Sequence, residues 1–239
     1  MLKAVLFDFN GIIINDEPLH EKLINQLLLE ENLRPKPGEF RQFCLGRNDR
    51  ACIVDLLKQR GRVVTDDYAD KLIARKALLY KDQLDQLETL PVYPGLEDLL
   101  FKLRAARLKL AIVSGALQVE IELVLQRLKL SEHFPVIVSG DHRLPSKPEP
   151  NGYLLAVDRL NQLNPGLHLK PSDCLAIEDT FAGIEAAKRA HIPVVGVANT
   201  YPFHMLQRRA NWAVDYLSDL ELDRIQQLYE QMATAPKAV

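Results

Sequence analysis

The chain has 239 residues, a length that suggests one large domain or two modest ones. It is 47% apolar and 26% charged, a globular balance that excludes disordered and collagen-like architectures. Lys and Arg number 30 against 32 Asp and Glu, so the formal charge of -2 provides no global pull toward nucleic acid or an anionic membrane.

Taken in order, Leu2–Phe7 reads as a short buried strand stopped by Asp8. Its apolar run is too short for a signal peptide or a spanning helix, so the expected compartment is the cytoplasm. Residues 16–91 then lose strand rhythm. Leu19, Leu23, Leu27 and Leu28 make one helical stripe, and Leu72, Ile73, Ala77, Tyr80, Leu84 and Leu87 make another. Linkers near Ile14–Asn15 and Pro91–Gly95 bound this segment, which we read as a helical insertion able to swing as a lid. Beyond it, Leu110–Val113, Val136–Val138, Cys174–Ile177 and Val194–Ala198 read as buried strands. Helical spacing at Leu117–Leu130 and Ala182–Ala190 separates them. Alternation of this kind predicts an α/β fold with a doubly wound parallel sheet. The expected division is a core of residues 1–15 and 92–239 and a helical domain of 16–91. Met232–Val239 reads as a frayed tail. Three cysteines (Cys44, Cys52 and Cys174) without C-x-x-C spacing argue against a disulfide or zinc framework.

Ligands of open parallel sheets bind beyond the carboxyl ends of the strands. Four loops are therefore informative: Asp8-Phe9-Asn10-Gly11, Ser114-Gly115-Ala116, Ser146-Lys147-Pro148 and Glu178-Asp179-Thr180. Singly, each has a plain structural reading as a turn, a helix start or a surface lysine. Three carboxylates, a hydroxyl and a lysine at one sheet edge are hard to explain as packing.

With these four loops in order, together with Asp16-Glu17-Pro18-Leu19-His20 and Val92-Tyr93-Pro94-Gly95, the sequence resembles the haloacid dehalogenase-like phosphohydrolases that carry a helical cap. The layout is similar to β-phosphoglucomutase and the phosphoglycolate phosphatases. The resemblance implies Asp8 as nucleophile, forming an aspartyl phosphate. It implies Mg2+ held by Asp8, Glu178, Asp179 and the carbonyl of Asn10. Ser114, Gly115 and Lys147 would cradle the phosphoryl group.

The first loop departs from the family's D-x-D. Asn10 stands where the second aspartate would protonate the leaving group and activate water, a role worth roughly 10²–10⁴-fold. Three readings stay open: hydrolysis with His20, Glu17, water or substrate moving the proton; an asparagine introduced to trap a bound state; or a binding protein without turnover. A mutase needs that acid–base group more than a phosphatase does. On the helical side, Gly46 allows a tight loop, Arg47 or Arg50 would meet the leaving group, and Glu17 and His20 share a helix face near the linker. The Leu45–Arg50 segment has no lysine for Schiff-base chemistry. The expected activity is a Mg2+-dependent phosphatase of a small phosphorylated metabolite, with no nucleic-acid or membrane partner, as a monomer or weak homodimer.

Overall fold

The computed structural model describes residues 1–234. Six strands form one sheet: β1 (Ala4–Phe7), β2 (Lys109–Val113), β3 (Val136–Val138), β4 (Cys174–Glu178), β5 (Val194–Val197) and β6 (Trp212–Val214). All neighbours are parallel, in the order β3-β2-β1-β4-β5-β6. The doubly wound sheet expected from the sequence is therefore present, and the winding reverses between β1 and β4. Strand ends shift by a residue or two, and one strand was not expected. The first strand begins at Ala4 rather than Leu2, and β6, three half-buried residues, is too short for an apolar pattern to register.

Between β1 and β2 lie α1 (Glu17–Glu30), α2 (Glu39–Phe43), α3 (Asp49–Gln59), α4 (Asp66–Asp85) and α5 (Leu96–Ala105). The later connections carry α6 (Gln118–Arg127), α7 (Asn151–Leu163), α8 (Phe181–Arg189) and α9 (Phe203–Leu206), and α10 (Leu222–Thr234) follows β6. Thus α10 takes up Met232–Thr234, part of the segment expected to fray, and residues 235–239 lie outside the described residues. None of the described helices is long and apolar enough to cross a membrane.

Alternate residues of a strand face opposite sides of a sheet. Val5, Phe7, Leu110, Ile112, Leu175 and Ile177 accordingly pack against α5, α6 and α10. Ala4, Leu6, Ala111, Val113, Cys174 and Ala176 pack against α7 and α8. With both faces covered, β1 is wholly buried and can only place polar groups at its end.

Helices α1 to α4 enclose a separate apolar cluster of Ile24, Leu27, Leu28, Ile53, Leu56, Leu57 and Leu72. Leu23, Tyr80 and Leu84 point the other way and join the sheet's core. The two chain crossings into this unit run side by side: Ile14 pairs with Val92, and the Asn15 amide donates to the Pro91 carbonyl at 2.7 Å.

Cys44 and Cys52 are joined by a disulfide, contrary to the sequence argument from cysteine count and spacing. Pairing here depends on the chain turning back between α2 and α3 through Gly46, at φ +73°, and a spacing of eight residues cannot reveal that turn. Cys174 is free and buried. Alkylation of the denatured, unreduced protein should therefore label Cys174 alone, and labelling of all three cysteines before reduction would contradict the pairing.

Candidate active site

Register places the chemistry. Phe7 sits level with Ile112 of β2 and Ile177 of β4, so Asp8, Ser114 and Glu178 emerge at one edge, at the reversal of winding. The Asp8 amide donates to the Ile177 carbonyl at 3.0 Å. Its Oδ1 accepts from the Phe9 amide at 2.8 Å and from Lys147 Nζ at 3.0 Å. Lys147, delivered by the loop after β3, also reaches Glu178 Oε1 at 2.7 Å. The Tyr153 hydroxyl of α7 donates to that same oxygen at 2.6 Å. Asp179 Oδ2 accepts from the Thr200 hydroxyl, whereas Asp179 Oδ1 is buried without a partner. Gly11 makes room for this carboxyl: its φ is +77°, and a Cβ there would lie 2.0 Å from Asp179 Oδ2.

Three buried carboxyls (Asp8, Glu178 and Asp179) face a single buried ammonium, leaving two negative charges unbalanced. The cost appears in their acidities. Burial and the Asp8 charge push Glu178 up to about 8, although Lys147 and Tyr153 pull it down. Burial and Asp8 likewise raise Asp179 well above the carboxylate range. Burial would lower the Lys147 pKa, but Asp8 and Glu178 outweigh it and hold the amine protonated. Oxygens of the three carboxyls lie within 4.8 Å of one another. A hard divalent cation prefers such donors, would satisfy Asp179 Oδ1 and would balance the charge. The residues fit Mg2+.

Asn10 points from the same edge into a second network. Its Nδ2 donates to Asp16 Oδ1 at 2.9 Å and Oδ2 at 3.1 Å, and lies 3.0 Å from His20 Nε2. Tyr80 of α4 donates its hydroxyl to Asp16 Oδ2 at 2.5 Å, and its ring stacks on His20. Burial would raise the Asp16 pKa, yet the charge and hydrogen bonds of His20, with those of Asn10 and Tyr80, hold it below the ordinary value. Asp16 therefore fixes the Asn10 amide with its carbonyl oxygen toward the Ser114 hydroxyl, 3.5 Å away. The Ser114 oxygen in turn accepts from the Ala116 amide at 3.0 Å.

Above the edge, the helical unit closes a narrow cleft lined by Asp8, Asn10, Glu17, His20, Gly46, Arg47, Asp49, Lys76 and Gly115 among others. The loop after α2 makes the closest approach. A Cβ on Gly46 would fall 2.6 Å from Thr180 Oγ1, and one on Gly115 would fall 2.7 Å from the Arg47 carbonyl. The Asn48 amide donates to Ser146 Oγ at 2.9 Å. Glu17 faces the cleft, and burial with the Asp16 and Asp8 charges lifts its carboxyl to about 7 against His20 and Lys76.

The two arginines expected on the helical side differ in placement. Arg50 does not line the cleft, because Asp66 and Asp70 draw its guanidinium outward. Arg47 does line it, but its guanidinium is held by the Phe43 carbonyl and by Asp55 at 2.8 Å. Beside Arg47 the fold brings in Lys76, which no loop motif announced. This buried lysine pairs with Asp49 at 2.7 Å and, across to the sheet unit, with Glu120 at 3.4 Å. Burial opposes its charge, but the two carboxylates raise its pKa, so it stays an ammonium and is unsuited to Schiff-base formation. Asp16, Tyr80, Tyr153 and Thr200 were also missed. Only Asp16 had a signal, its place in the Asp16–His20 run.

Known proteins resemble the chain in sequence and in fold. The family model described as haloacid dehalogenase-like hydrolase matches residues 5–197. A phosphorylated carbohydrates phosphatase of Thermotoga maritima is 28% identical over 83% of this chain and 87% of its own length. A β-phosphoglucomutase of Bacillus subtilis is 29% identical over 96% of both. The solved structure of a β-phosphoglucomutase from Clostridium difficile superposes with a TM-score of 0.84 at 23% identity, covering 98% of this chain and all of that one.

The excess buried carboxyl charge has a measurable consequence. Glu17 and Glu178 keep protons in the folded state that they lose near pH 4.5 when unfolded. Folding stability should therefore fall as pH rises from about 4.5 to about 8 without divalent cations. Added Mg2+ competes with those protons, so its stabilising shift in Tm should grow with pH. A shift independent of pH would contradict carboxylate ligation.

Proposed function

The chain belongs to the haloacid dehalogenase-like hydrolase family, and on that premise we propose that it hydrolyses the phosphate ester of a small hydroxyl-rich metabolite, a sugar phosphate by preference. The observation that carries the reading is Lys147 held between Asp8 and Glu178, with Asp179 Oδ1 unsatisfied beside them. An Asp8 carboxylate oxygen attacks phosphorus, the ester P–O bond breaks, and the departing alkoxide takes its proton from water. Water then attacks the aspartyl phosphate, releasing inorganic phosphate and restoring Asp8. Lys147 and Ser114 face the charge that spreads over the phosphoryl oxygens, a term that dominates phosphoryl transfer. Mg2+, held by Asp8, Glu178, Asp179 and the main-chain carbonyl of Asn10, would supply the charge neutralisation that lets a carboxylate approach a phosphate. The helical unit acts as a cap that excludes water and selects the leaving group. Glu17, Asp49, Lys76 and Arg47 give that cleft mixed polar walls suited to hydroxyls.

Asn10 attenuates this chemistry, since an amide moves no proton at neutral pH. That single residue favours a second reading, a phosphometabolite-binding protein with little turnover, and it weighs against a phosphomutase, which must return the proton.

Two variants test the reading. Asp8→Asn should abolish Mg2+-dependent phosphate release across a panel of sugar phosphates, and release that survives would remove Asp8 as nucleophile. Asn10→Asp alone puts carboxylate oxygens 2.9 and 3.1 Å apart, so it should lower Tm. Exchanging both residues, Asn10→Asp with Asp16→Asn, should recover Tm and raise kcat about 10²-fold, the lower end for general acid–base catalysis. An exchanged variant no faster than the parent would mean that residue 10 does not limit proton transfer.

A further inference from the structure

Four side chains from four separate segments form one stack beside the carboxyl cluster. The Phe181 and Tyr201 rings lie 3.8 Å apart at 17°, face to face. Arg41 of α2 sits 4.7 Å over Tyr201, and Arg209 sits 4.2 Å over Phe181. With the inner faces occupied by each other, the two rings offer only outer faces to the guanidiniums, so the order is Arg41, Tyr201, Phe181, Arg209. Arg41 belongs to the helical unit and the other three belong to the sheet unit. Arg41 also donates to the Thr200 carbonyl at 3.4 Å, and among the described residues it has no ion-pair partner.

The segment receiving Arg41 is the one that braces the site. The Asn199 side-chain Nδ2 donates to the Gly11 carbonyl at 2.6 Å, and the Thr200 hydroxyl donates to Asp179. Phe181 directly follows the Glu178-Asp179-Thr180 loop. A cation resting on an aromatic face is attracted without the desolvation cost of a buried ion pair, and a half-exposed contact of this kind forms and breaks readily.

We propose that Arg41 is a positioning residue, a latch that holds the helical unit closed by docking on the Tyr201–Phe181 stack and so ties closure to the order of the Asp179 loop. The proposal rests on the reading of that unit as a moving cap. Hydrogen exchange of the intact protein tests it without needing turnover. Arg41→Ala should speed exchange of the amides from Phe40 to Asn48 roughly three- to fivefold, the size that a half-exposed cation–π contact supports. Exchange in β1 and β4 should stay unchanged. Tyr201→Leu should match that effect, the double variant should add nothing to it, and Arg41→Lys should keep part of the protection. With any phosphate ester that is turned over, Arg41→Ala should raise KM by the same factor and leave kcat within about twofold, since no reacting group is touched. Unchanged exchange in Arg41→Ala, or additive effects in the double variant, would overturn the latch. If no ester is turned over while the exchange pattern holds, the hydrolase reading fails and the latch stands.

Discussion

Three carboxyls and one lysine share a water-poor pocket at the end of a fully buried strand. A charge imbalance of that kind opposes folding unless something offsets it. Much of the surrounding structure is arranged around it. Tyr153 and Thr200 donate to carboxylate oxygens, Gly11 leaves room for the Asp179 carboxyl, and Lys147 is threaded between Asp8 and Glu178. The excess that remains suits a divalent cation and a phosphoryl group, the first positive and the second able to accept from Lys147 and Ser114. An assembly that is awkward as a packing element is ready for phosphate chemistry.

The same logic explains the neighbouring network. Residue 10 and residue 16 cannot both be free carboxylates at a separation near 3 Å, and here the ionised member is Asp16. Hydrogen bonds from Asn10 and Tyr80, with His20 alongside, use that charge to fix the joint between the strand end and the helical unit. On the proposed function, the same arrangement gives up an acid–base group at residue 10. The two units also meet at the buried bridge from Lys76 to Glu120 and at the tight approach of Gly46 to Thr180.

The sheet was legible because its strands are continuous apolar runs, and the edge residues were legible because each run stops at a polar residue. Asp8, Ser114 and Glu178 directly follow such runs, whereas Lys147 lies well beyond β3 and was picked out by its place in the family's loop order. The helical side was far less readable. Arg50 looked available from its loop, but Asp66 and Asp70, 16 and 20 residues away, claim it. Lys76 looks like one of many helix lysines, and its burial depends on Glu120, 44 residues later. Asp16 occupies the helix N-cap position yet makes no capping bond, because Tyr80, 64 residues on, reaches its oxygen. The disulfide was missed for the same reason. Each of these contacts is set by how two units pack, which local spacing does not encode.

The central claim is that Asp8 takes up the phosphoryl group and that Asn10 slows its release. The most direct measurement is peptide mass spectrometry of the protein, acid-quenched during incubation with a sugar phosphate panel and Mg2+. The account predicts phosphate on the peptide containing Asp8, accumulating because water attacks without a base at residue 10, and falling when residues 10 and 16 are exchanged. Phosphate release with no phosphorylated Asp8 at any time, or phosphate on another residue, would contradict it.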